Sequence, residues 1–412
     1  MDDHSPPELD LDYARSRFPG LASGWVYMDN AGGSLPLGSV IDAVADYMRH
    51  WPVQLGATYA PSAEAGRRVD AGRQAIARLM SMGASTSADP GTVVLGASTS
   101  SLFSRVARGL APGIRPGDEI VVTAVDHEAN ISPWQRLERQ GAIVRTWPLN
   151  LDTLALETSD LEPLLGDRTR LVCCTHASNI LGSVTDLPAI SRLTKQAGAR
   201  LCVDGVAYAP HRAMAVADAG VDYYAFSLYK VFGPHCAGLF GQREALLELD
   251  NQNHRFFSDD YVPGKLEPGA FPYELVAAAT AIPDYLEELG RRSGGDAFAA
   301  ISAHERRLSG RLLEYLGTRS DARIMGSGRA DANRLPTISF VLSGRPSASV
   351  PPVTDDARLG IRFGHFYAPA LMTAMGLEPD DGVIRVSLAH YNSIEEVDRL
   401  IEVLETRVPP VK

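Results

Sequence analysis

The stretch "YYAFSLYKVFGPHCAGLFG", residues 223–241, sets a lysine between two runs that read as buried strands. "YYAFS" and "AGLFG" are short, apolar and rich in strand formers, the profile of strands covered on both faces. Between them Lys230 stands in the turn "SLYKVFGPH". An ammonium group beside such strands costs free energy unless it is paired or neutralised. The residue therefore demands a chemical reason.

Working outward, the same rhythm recurs upstream. "IVVTAV" (120–125), "AIVRTWPL" (142–149), "RLVCCTH" (170–176) and "RLCVDG" (200–205) read as further strands. Helices alternate with them. "STSSLFSRVARGL" carries Leu102, Val106 and Leu110 at helical spacing behind Ser and Thr suited to a cap. "DLPAISRLTKQAGA" has Asp186 as cap, Pro188 in the first turn and Gly198 as stop. Strands alternating with helices predict an α/β fold, a mostly parallel central sheet with helices on both faces. After about residue 275 the pattern changes. "YELVAAATAIPDYLEEL", "AFAAISAHERRLSGRLLEYL" and "SIEEVDRLIEVLETRV" predict helices; "LPTISFVL" and "VIRVSLA" predict strands. "SGRPSASVPPVTDDAR" (343–358) is Pro-rich and aperiodic and reads as a loop. The expected organisation is a large domain over 29–285, with 1–28 and 286–412 forming a smaller α+β domain.

The chain has 412 residues, 45% apolar and 22% charged, with a net charge of −11. That acidic balance argues against nucleic acid or an anionic membrane as partner. "MDDHSPPELDLD" is no signal peptide, and no apolar run approaches the roughly 20 residues that span a bilayer. The expectation is a cytoplasmic protein. Cys173, Cys174, Cys202 and Cys236 have the spacing of neither a metal site nor a disulfide framework, and read as core thiols.

In an open parallel sheet, ligands bind beyond the carboxyl ends of the strands. His127, Asn179 and Lys230 follow predicted strands, Asp204 ends one, and Ser98 and Thr99 precede a predicted helix. Singly each has a plain structural reading, as cap, loop former or core residue. Together they assemble a lysine, an acid, a stacking imidazole and a helix N-terminus able to hold phosphate. Pyridoxal phosphate (PLP) requires such a set.

At these residues the chain resembles the fold-type-I PLP enzymes of the class V aminotransferase group, in their cysteine desulfurase-like branch. "YMDNAGGS", "GDEIVVTAVDHEANISPW", "THASNILGS", "VDGVAYAPH", "AFSLYKVFGPH" and "VIRVSLAHYNSIEEVDRL" follow the order of that family's blocks. The resemblance implies that Lys230 binds the cofactor covalently and Asp204 pairs with its ring nitrogen. It implies that His127 stacks on the ring and Asn179 bonds near its phenolate oxygen. Ser98, Thr99, Ser227 and Tyr229 would hold the phosphate. Arg385 would grip a substrate carboxylate, with Asn30 and Arg362 nearby. A homodimer with its site at the subunit interface is implied as well.

The chain also departs from that pattern. In "RFGHFYAPAL" Tyr367 stands where desulfurases carry the nucleophilic cysteine. Ala207 replaces a Gln or His that touches the ring, Gly269-Ala270 replaces Gly-Thr, and Tyr229 replaces a His. The expected activity is therefore that of a PLP-dependent C–S lyase on a cysteine S-conjugate, with His365 or Tyr367 protonating the departing sulfur. Transamination, epimerisation and decarboxylating deamination are the alternatives. A PLP-binding regulator is a further one, against which Lys230, Asp204, His127 and Arg385 together speak.

Overall fold

The structure is a computed structural model, and it describes residues 7–269 and 271–411. Seven strands build its large sheet: β1 (Val93–Gly96), β2 (Glu119–Thr123), β3 (Ile143–Trp147), β4 (Thr169–Thr175), β5 (Arg200–Asp204), β6 (Tyr223–Ser227) and β7 (Ala237–Gly241). Their spatial order is β1-β7-β6-β5-β4-β2-β3. Neighbours from β6 to β3 run parallel, whereas β7 is antiparallel to both β6 and β1. The antiparallel strand follows from the short turn that carries Lys230, because a parallel return would need a long crossover.

Side chains along these strands alternate between two cores. Leu171, Cys173, Cys202, Tyr223 and Ala225 pack with Leu102, Phe103, Val106 and Trp134 on one face. Val172, Cys174, Val203, Tyr224 and Phe226 pack with Ile76 and Met80 on the other. Both faces are covered, so the strands read as continuous apolar runs rather than alternating ones. Burying each large apolar side chain contributes about 1.5–3 kcal/mol. All four cysteines are buried and unpaired.

The helix Thr99–Leu110 starts at the end of β1, where the Ser98 hydroxyl accepts from the Ser101 N–H in a capping box. Two helices of the large unit, Gly38–His50 and Ala60–Ser81, were not among the sequence expectations. Ala60–Ser81 is mostly small and charged, and Ala65, Val69, Gly72, Ile76 and Met80 mark its buried stripe. Gly72 is needed there, since a Cβ would lie 2.0 Å from the Val276 carbonyl oxygen.

A second sheet holds β8 (Ala322–Met325), β9 (Thr337–Leu342), β10 (Arg362–Gly364) and β11 (Val383–Ser387), ordered β10-β11-β9-β8 and antiparallel throughout. Ile338, Phe340, Ile384 and Val386 pack there against Leu308, Leu312, Leu400 and Leu404. Leu308 and Leu312 come from the helix Ala297–Thr318, whose first turns carry Phe298 and Ile301 into the large core instead. The N-terminal segment divides in the same way. Leu9, Ala14 and Phe18 join the large core, and Val26 and Met28 the smaller one.

The segment 343–358, expected as a loop, contains a 3-10 turn at Ser347–Ser349 and a helix at Pro351–Asp355. The Asp381 carboxylate accepts from the Ser347 and Ala348 N–H groups, and Pro351 and Pro352 occupy the helix's first turn. The prolines that argued against structure instead fix its start.

Candidate active site

The carboxyl ends of β1, β2, β4, β5 and β6 converge on one cavity, closed from the other side by β11 and the turn after β10. Lys230 lines it, one turn beyond β6. Burial pushes its amine down to about 7, assisted by the Arg385 guanidinium and opposed by Asp29 and Asp204. The ammonium donates to the Ala31 carbonyl. The shift favours the free amine near neutral pH far more than in an ordinary lysine, and that form attacks an aldehyde.

Asp204 ends β5, with Oδ1 accepting from the Val206 N–H at 2.9 Å. Burial raises its carboxyl to about 6, against that hydrogen bond and Lys230. A buried acid held by one N–H lacks a full partner, which a pyridinium N–H would supply. His127 follows β2 and accepts from the Ala129 N–H at Nδ1. Burial, Lys230 and Arg385 bring its pKa down to about 4, so it is a neutral ring suited to lie against another ring. Thr99 and Ser227 share a 2.7 Å hydroxyl contact at the N-terminus of the helix Thr99–Leu110. Its free N–H groups make an anion cradle with Thr99, Ser100 and Ser227. Ser98 lines the cavity while its hydroxyl caps the helix. Tyr229 also faces the cavity, stacked on His235 with ring centroids 4.8 Å apart. Burial raises its phenol's pKa, which keeps it a donor. Covalent amine, buried acid, neutral ring and anion cradle together fit pyridoxal phosphate.

The substrate side is built around Arg385, which is 2% exposed on β11. Nη2 donates to Asp29 at 3.0 Å and Nη1 to the Asn179 carbonyl at 3.1 Å. The Phe366 ring lies 3.6 Å from the guanidinium carbon. Nε is buried without a partner among the described residues. The guanidinium as a whole lines the cavity and offers an entering carboxylate a charged partner. Arg362 is exposed and meets the other Asp29 oxygen at 3.4 Å.

Some expected residues sit differently. Asn30 borders the cavity, but its amide is committed: Nδ2 donates to Tyr27, Ser387 and Asn392, and Oδ1 accepts from the Tyr391 hydroxyl. It pins the entrance rather than offering a free group to substrate. His365 does not line the cavity; its Nδ1 accepts from the Tyr367 N–H at 3.0 Å and shapes the turn. Asn179 lines the cavity with Nδ2 donating to the Phe366 carbonyl. Tyr367 does reach the site, 5.1 Å from the His127 ring. Phe366 and Tyr367 both have left-handed φ, 45° and 59°, costly for aromatic residues. The Glu128 N–H, donating to the Tyr367 carbonyl at 2.7 Å, helps hold them there. Ala207 lines the cavity with only a methyl group. Ala270 lies outside the described residues.

Phe366 and Tyr367, expected from the sequence to shape the pocket, do line it; sequence reasoning missed Asp29 and Asp126. Asp126 is fully buried behind His127, takes hydrogen bonds from Thr123, Asn130 and the Thr175 N–H, and is raised by burial to about 7. The motif "YMDNAGGS" held a signal for Asp29, and "TAVDHEAN" held one for Asp126, whose Thr123 and Asn130 partners lie three and four residues away.

This combination defines a fold-type-I PLP enzyme. The aminotransferase class-V family model matches residues 26–400, and the chain belongs to that family. It is 40% identical over 411 residues to the aminotransferase-like protein FGM3 of Gibberella zeae, covering 97% of this chain and 99% of that one. It is 33% identical to the cysteine desulfurase-like protein ustD of Aspergillus flavus, covering 94% and 88%. An apo cysteine desulfurase from Thermococcus onnurineus NA1 superposes with a TM-score of 0.86 at 25% identity, covering 97% and 98%. Among the described residues no helix is long and apolar enough to cross a membrane, and no acid, His or Cys cluster has metal-binding geometry.

Proposed function

We propose that the chain is a C–S lyase that splits a cysteine S-conjugate by β-elimination and, with one water consumed in hydrolysis of the three-carbon remainder, gives a thiol, pyruvate and ammonia. One observation carries this reading. Tyr367 occupies the loop position facing His127, and all four thiols are buried. The departing sulfur therefore finds no protein thiol to accept it and leaves with its own substituent.

Bound pyridoxal phosphate supplies the electron sink for the carbanion at the substrate's α-carbon. The chain's residues do the rest. Arg385, whose guanidinium lines the cavity, binds the carboxylate. Lys230, with a pKa near 7, takes the α-proton and holds it. The neutral His127 ring covers one face of the site. The Tyr367 hydroxyl donates a proton to the leaving sulfur. Incubation with a panel of S-alkyl-cysteines tests the reading: pyruvate and free thiol appear in equal amounts, and absence of both across the panel rejects it.

A second reading, a decarboxylating deaminase, has Arg362 in its favour. That exposed guanidinium at the cavity rim suits a substrate with a second acidic group. Carbon dioxide without thiol marks it. An aminotransferase would instead leave the cofactor as its amine, and an epimerase would return a racemised substrate. We also read the chain as a cytoplasmic homodimer sharing its site across the interface. Exposed Ile41, Met48 and Phe256 support a covered face, and free cysteines suit a reducing compartment. Light scattering tests the dimer.

A further inference from the structure

His211 lies on the cavity wall beside Ala207. It is 3% exposed, yet no expectation drawn from the sequence gave it a role. Its Nδ1 sits 2.8 Å from Oε1 of Glu305, itself 1% exposed. Glu305 comes from the helix Ala297–Thr318 at the point where that helix passes from one core to the other, so it is rigidly held. Its second oxygen accepts from Arg212 Nη1 at 3.1 Å. In the tautomer that donates from Nδ1 to this carboxylate, Nε2 is the lone-pair nitrogen. Nε2 makes no hydrogen bond among the described residues and is not sealed from the cavity. An acceptor open to the cavity and unclaimed by the protein is placed to serve a ligand.

We propose that His211, oriented by Glu305, is a second proton-accepting group of this site, serving the wall that Ala207 leaves without a polar side chain. The charged and titratable groups around it are few. Arg212 and His304 flank the Glu305 carboxylate, and His390 lies close enough to sense both histidines. His304 is committed through Nε2 to the Asn392 carbonyl and His390 through Nε2 to the Tyr285 hydroxyl, so neither competes for the cavity. Across the cavity stand Lys230 and Asp204. The site then has two bases on different walls, Lys230 and His211. The inference rests on this cavity being the PLP site and not on the C–S lyase reading.

The test uses the PLP-loaded protein without substrate. The cofactor's absorbance is titrated against pH for the wild type, His211→Asn and Glu305→Gln. The wild type shows an ionisation that His211→Asn lacks and that Glu305→Gln displaces along the pH axis, because the carboxylate bonded to Nδ1 is gone. With substrate, kcat/KM of His211→Asn falls by about 10²-fold or more. Should His211→Asn reproduce the wild-type titration and turnover, the imidazole is only a strut and the proposal falls. Should that variant fail to fold or load cofactor, Glu305→Gln decides: a shifted ionisation upholds the proposal and an unmoved one overturns it. Because no substrate enters the titration, its failure is separable from failure of the lyase assay.

Discussion

The amine of Lys230 offers the most quantitative test. Burial and the Arg385 charge bring it from 10.5 to about 7. At pH 7 an unperturbed lysine is free amine in roughly 1 molecule in 3,000, and Lys230 in about one half. Cofactor capture by the empty protein is therefore about 10³-fold faster at pH 7 than an exposed lysine allows. The second-order rate constant, followed by stopped-flow absorbance, reports the free protein. It should climb about tenfold per pH unit below 7 and then level off. Arg385→Gln removes a repelling charge and moves the midpoint up. Asp204→Asn removes an attracting one and moves it down. The sign for stability follows. Between about pH 7 and 10.5 the unfolded chain binds more protons here than the empty folded one, so this lysine's penalty is relieved as pH rises through that window. A rate still climbing tenfold per unit at pH 9 would refute the burial argument.

Three further outcomes are expected. Asp29→Asn leaves the buried Arg385 guanidinium without its carboxylate and costs about 1–3 kcal/mol, read as a lower denaturant midpoint; an unchanged midpoint counts against the pair. Tyr367→Phe keeps the fold and cofactor spectrum, since the side chain is 64% exposed, but slows thiol release about 10²-fold; equal rates exclude the phenol as proton donor. A thiol-blocking reagent leaves turnover intact, because every cysteine is buried and burial raises the Cys173 and Cys174 pKa values well above the ordinary thiol range; inactivation would point to a reactive cysteine.

That Ser98, Thr99, Asp204 and Lys230 line one cavity was legible because each is announced locally. Asp204, Lys230 and the Ser98-Thr99 cap directly follow apolar runs, and chain order alone aims such positions at one sheet edge. The smaller unit was legible in its long helices and in β9 and β11, but β8 and β10 were missed, being four and three residues long. The substrate side was less readable. Asp29 meets Arg385 across 356 residues of chain, and His211 meets Glu305 across 94. Nothing in a local pattern encodes such contacts. Asn30 and His365 were assigned by motif position, yet their side chains bond to the surrounding backbone instead. The helix Ala60–Ser81 escaped notice because its buried stripe is mostly small residues, which carry a weak apolar period.

The most direct measurement is borohydride reduction of the PLP-loaded protein, followed by proteolysis and mass spectrometry. A single pyridoxyl group on the peptide containing Lys230 is the expected result. A pyridoxyl group on another lysine, or none on any, would contradict the assignment of this cavity as a PLP site.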